Sequence, residues 1–119
     1  TAADVAQARK DIAARNTKVL NAFRKNLARG GLSAKMLEQH AANIAGFAND
    51  VLLAQDPPRG LLDLTLEDVQ TYLRQSKKPN AVSFKRFVQF LGVSGRMDYD
   101  EAEKIRDYLK SADTDARRG

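Results

Sequence analysis

Ser33-Ala34-Lys35-Met36-Leu37-Glu38-Gln39-His40-Ala41-Ala42-Asn43-Ile44-Ala45-Gly46-Phe47-Ala48-Asn49-Asp50-Val51 carries one helical rhythm from end to end. Leu37, Ala41, Ile44, Ala48 and Val51 recur at alternating spacings of four and three, which places them on a single face of an α-helix. Ser33 opens the run as an N-cap, since its hydroxyl accepts from a backbone N–H of the first turn that has no partner inside the helix. The reading is an amphipathic helix of about twenty residues, central to an all-α fold.

Upstream of it, Gly30-Gly31 supplies the left-handed residue that commonly ends a helix, so a first helical segment extends to about Arg29. A break near Asn16-Thr17 is an option within it. Downstream, Asp56-Pro57-Pro58-Arg59-Gly60 forces a loop, because proline lacks the N–H donor and disfavours helix in the residue before it. Leu61, Leu62 and Leu64 are expected to pin that loop to the core. Thr65 with Asp68 resembles a capping box and opens a third helix bearing Leu66, Val69, Tyr72 and Leu73, ending near Ser76. Lys77-Lys78-Pro79-Asn80 reads as a turn, with Asn80 capping a fourth helix whose stripe is Phe84, Phe87, Val88 and Leu91. Gly92 and Gly95 close it. Asp98 and Glu101 repeat the capping arrangement before a last helix with Ala102, Ile105, Tyr108 and Leu109. The pattern contains no strand and no repeat. It predicts a compact bundle of four to five helices, one domain over residues 1–112, with a frayed polar tail at 113–119.

A chain of 119 residues is close to the commonest domain size. Its apolar fraction includes 18 alanines, which fill little volume, so the core must come from larger residues such as Phe23, Ile44, Phe47, Phe87 and Leu91. There is no cysteine, hence no disulfide and no thiolate metal site, and cytoplasm is the expected compartment. No apolar run approaches the length of a membrane span, and Thr1-Ala2-Ala3-Asp4 does not begin a signal peptide. A start at Thr1 leaves room for a neighbouring domain.

Residue types argue against self-sufficient catalysis. His40, the single histidine, lies at the edge of the apolar arc of its helix, where a packed core-edge role outweighs that of a base or ligand. The carboxylates of Glu67-Asp68 and of Asp98, Asp100, Glu101 and Glu103 sit at helix starts, where they complement the macrodipole. No glycine-rich phosphate loop is present. The expectation is no enzyme, no catalytic residue, no metal, no cofactor and no small-molecule substrate.

The net charge of +5 is unevenly spread. Residues 1–35 hold eight Lys/Arg against two acids, residues 36–73 one against six, residues 74–96 six against none, and residues 97–119 five against seven. On the first helix Lys18, Lys25 and Arg29 share the face opposite Leu20, Phe23 and Leu27. On the fourth, Arg86 and Gln89 lie opposite the apolar stripe with Lys85 at its flank, and Arg74, Lys77 and Lys78 are just upstream. Such faces suit contact with phosphates, and they also suit an ordinary solvated helix surface. Charge alone does not separate the two.

From Leu27 to Ile44 the sequence resembles the core-binding domain of tyrosine recombinases, a SAM-like helical domain of integrase type, in which a Leu-Ser pair opens a helix. Here that pair is Leu32-Ser33. Leu62-Asp63-Leu64-Thr65-Leu66-Glu67-Asp68-Val69 with Tyr72-Leu73 is similar to the entry of the family's third helix, and Phe84 to Leu91 to its fourth. The resemblance covers roughly residues 20–95, in order. Met36 stands where the family often has threonine and His40 where it has tyrosine, and the segment before the fourth helix is short. The resemblance implies a duplex-DNA partner, met by Ser33, Lys35 and Met36 on the second helix and by Ser83, Lys85, Arg86 and Gln89 on the fourth. Arg86 and Gln89 would reach base edges, Lys35 and Lys85 phosphate. The family's catalytic set has a histidine three positions before an arginine; here Asn43 follows His40 at that offset, so a non-catalytic module is implied, alone or beside a separate catalytic domain. The alternatives from other classes are a protein-interaction or scaffold bundle and, third, an RNA binder.

Overall fold

The structure is a computed structural model that describes the backbone of residues 1–76 and 80–118, with side chains through Ser111. Its described residues form five α-helices and no strand: α1 (Ala2–Arg29), α2 (Ala34–Phe47), α3 (Leu66–Gln75), α4 (Ala81–Val93) and α5 (Tyr99–Arg118). The all-α bundle of four to five helices holds. The chain divides into two compact units, Thr1–Asp63 and Leu64 onward.

In the first unit α1 runs unbroken through Asn16 and Thr17. Neither polar residue interrupts it, because each has a use inside the helix: the Thr17 hydroxyl donates to Ala13 O one turn back (3.1 Å), and Asn16 is buried against a distant segment. Asn16 Oδ1 accepts from Leu61 N at 2.9 Å, tying α1 to the short 3₁₀ turn Leu61–Asp63. Two turns earlier, Arg9 Nε donates to Leu53 O at 3.1 Å. Between these anchors lie the prolines, with a cis Asp56–Pro57 peptide. Leu61 is buried, whereas Leu62 is 46% exposed and does not pin the loop as the sequence suggested.

Gly30-Gly31 ends α1 in a Schellman arrangement. Leu32 N donates to Leu27 O and Gly31 N to Ala28 O, with Gly31 at φ +88°. The turn brings α2 back against α1, where Phe23, Leu27, Ala41, Ile44 and Phe47 are buried and Arg24 pairs with Glu38 (3.1 Å). α2 is capped by Ser33, whose hydroxyl accepts from Met36 N. Beyond Phe47 the helix widens into a π-helical turn, Ala48–Leu52, closed by Leu53 N to Ala48 O. A wider turn takes more residues per revolution. The buried arc therefore continues 44, 48, 52, and Leu52 takes the fully buried place expected of Val51.

In the second unit Thr65 caps α3 through the reciprocal box read from the sequence. Asp68 N donates to the Thr65 hydroxyl, and Asp68 Oδ2 accepts from Thr65 N and Oγ1, each at 3.0 Å. Because Asp68 is buried, D68A removes the acceptor without giving its donors water, and it is expected to cost about 1–2 kcal/mol of stability in a denaturant titration. α4 packs on α5; Phe84, Phe87, Val88 and Leu91 of α4 and Ala102, Ile105 and Leu109 of α5 are all buried, and Phe84 also meets the Tyr72 ring of α3 at 5.0 Å. Gly92 sits inside α4 and does not close it: a Cβ there would lie 3.0 Å from the Ala102 Cβ, so its missing side chain permits close helix contact. The stop comes at Gly95, φ +74°. Asp98 Oδ2 then accepts from Glu101 N (3.2 Å), and α5 continues to Arg118, through residues the sequence reads as a tail.

Candidate nucleic-acid interface

The apolar stripe of α4 dictates what its other side presents. With Phe84, Phe87, Val88 and Leu91 turned into the core, Val82, Lys85, Arg86 and Gln89 recur at spacings of three and four on the opposite side. Arg86 and Gln89 are exposed and Lys85 half-buried. Alongside, α5 buries Ile105 and Leu109, and the residues one position later, Arg106 and Lys110, come to lie beside α4. Together Val82, Lys85, Arg86, Gln89, Arg106 and Lys110 line an open cleft of about 300 Å³. Four of these six carry positive charge and none is a carboxylate. Arg106 is held by its own helix, its Nη1 donating to Glu103 Oε1 at 2.6 Å.

Lys85, Arg86 and Gln89 are thus brought together as the helical count anticipated. Arg106 and Lys110 were missed, since the segment they occupy is net acidic and the family resemblance ends before it. The signal that finds them is positional: each follows a core residue of α5 by one.

The other candidates are distributed as follows. Ser83 is corrected: at 2% exposure its hydroxyl is inside the unit, because it precedes Phe84 on the buried side of α4's first turn, and it cannot meet a duplex. Arg74 is exposed in the last turn of α3, and Lys77 and Lys78 lie outside the described residues. In the first unit Lys18, Lys25 and Arg29 are exposed along α1. Ser33, Lys35 and Met36 are exposed at the start of α2, with the Ser33 hydroxyl already engaged as the cap.

His40 is buried on α2, in the other unit from the cleft. Among the described residues no group of three or more His, Asp or Glu side chains is arranged to hold a metal ion, and no helix is long and apolar enough to cross a membrane. Phe90, whose orientation the sequence leaves open, is buried under the Arg96 guanidinium (5.1 Å to the ring centroid), whereas Tyr99 is 59% exposed. Comparison of the chain with protein-family models, with curated proteins and with solved structures finds no match in any of the three.

Proposed function

We propose that this chain is a non-catalytic, duplex-DNA-binding helical module of the kind found as the core-binding domain of tyrosine recombinases. The observation that carries the reading is the α4–α5 cleft, where four cations and an amide line one surface with no acid among them. Phosphodiesters are the ligands such a surface suits: arginine meets their oxygens with a planar fork and lysine with a point charge. The exposed Lys18, Lys25 and Arg29 of α1, and Lys35 at the head of α2, add a second basic surface on the other unit.

A protein-interaction role is the rival, favoured by the exposure of Val93 (66%) and Tyr99 (59%). Titration of the purified chain against duplex DNA distinguishes them. Binding is expected with Kd on the order of 10⁻⁴ to 10⁻⁶ M at near-physiological salt, and the logarithm of affinity should fall linearly with the logarithm of salt as counterions are released. An acidic protein serves as charge control and should not bind. No binding to DNA at low salt overturns the proposal in favour of the interaction module.

A further inference from the structure

The cleft is built asymmetrically, and the asymmetry assigns different tasks to its two walls. Arg86 and Gln89 on α4 are exposed, three residues apart, and both have the paired polar atoms that read base edges. Arg106 on the α5 wall is only 26% exposed in its side chain, with its guanidinium held by Glu103. A fixed, partly desolvated guanidinium loses little freedom when it binds an anion, and its other donors remain for a ligand. Lys110 lies one helical turn further on and lines the same cleft.

Resting on the DNA-binding reading above, we infer that Arg106 and Lys110 seat one backbone phosphate of the duplex and so set the register in which Arg86 and Gln89 meet the bases. The α5 pair supplies affinity that is independent of sequence, and the α4 pair supplies discrimination. α5 is therefore a DNA-contacting helix in its own right.

The test is a set of titrations with one fluorescent duplex between about 50 and about 200 mM salt. The wild-type chain is compared with R106Q/K110Q and with K104Q, which removes an exposed α5 charge outside the cleft. Circular dichroism checks that each variant is helical. R106Q/K110Q is expected to bind about tenfold more weakly and to lower the magnitude of the salt slope by about 1, the contribution of one phosphate. K104Q should change affinity less than about twofold. If R106Q/K110Q keeps the wild-type affinity and slope while K85E/R86E loses binding, the α5 seat is overturned and the DNA reading stands. If K104Q weakens binding as much as R106Q/K110Q, the effect is net charge and the seat is again overturned. A wild-type chain that binds no duplex at any salt removes the reading itself.

Discussion

The double variant K85E/R86E is expected to bind duplex DNA about a hundredfold more weakly than the wild-type chain, with an unchanged helical spectrum and only a small drop in melting temperature. Two phosphate or base contacts, each a hydrogen bond to a charged partner, are worth about 1.5–3 kcal/mol apiece, so their loss amounts to at least about 3 kcal/mol, or two decades in Kd. Reversal does more than delete them, because two carboxylates would then stand in the cleft beside Arg106 and Lys110 and cancel its potential. Stability should change little: Arg86 is exposed, and substitutions at such positions usually change stability by less than about 0.5 kcal/mol, while reversal of the half-buried Lys85 at the flank of the stripe also gives up the interaction it already has, a loss of about 1 kcal/mol at most. Fluorescence anisotropy at low salt measures the first outcome and thermal denaturation the second. Affinity equal to wild type would exclude the α4 face as a DNA contact.

Phe87→Ala is expected to have the largest effect on folding, a loss of about 3–5 kcal/mol. Phe87 is fully buried, its ring tilted against that of Phe90 on the same helix with 6.2 Å between centroids. Truncation removes its transfer free energy and leaves a cavity beside Phe90 in the core that the neighbouring side chains fill only in part. Small domains are stable by only about 5–15 kcal/mol, so this substitution takes a large share of what the second unit has. V93A, at a position 66% exposed, is the matched control and should cost no more than about 0.5 kcal/mol. A denaturant titration in which F87A and V93A coincide would contradict the burial of Phe87 in the core. DNA binding by F87A should fall along with folding, since the cleft exists only while α4 and α5 are held side by side.

The helices were legible because their signals are local. Caps such as Ser33, Thr65 and Asp98 precede their helices by one residue, and the stripe of α4 needs a window of only eight residues to be recognised. What escaped depends on partners far away in sequence. Asn16 looks like a helix breaker until Leu61, 45 positions on, is seen to donate to it. Gly92 looks like a terminator, and its use is fixed by Ala102 on the facing helix. The buried place of Leu52 depends on a turn that widens after Phe47, which a fixed helical period cannot anticipate. The cleft follows the same logic. Its α4 wall follows from the stripe opposite, whereas Arg106 and Lys110 are scattered in an acidic segment and acquire a common direction only once Ile105 and Leu109 are buried. Ser83 misled for the converse reason, as position in a family pattern says nothing about which neighbours cover a hydroxyl in this chain.

The double attachment of the proline loop to α1 has a consequence for how long that loop must be. Arg9 and Asn16, which hold its two ends at Leu53 and Leu61, are seven residues apart on α1 and hence separated by about 10 Å along the axis. The eight steps from Leu53 to Leu61 can stretch to about 26 Å. The surplus is stowed in tight turns, with Arg59 N donating to Leu52 O and Gly60 N to Asp63 Oδ2. Contour length there is not under tension, and doubling a slack connection costs only about 0.6 kcal/mol of closure entropy. The stretch from Ala54 to Asp56, which ends in exposed residues, is accordingly the place where this chain can accept foreign sequence, an epitope or a fluorophore-bearing peptide, while both ends of the loop keep their grip on α1.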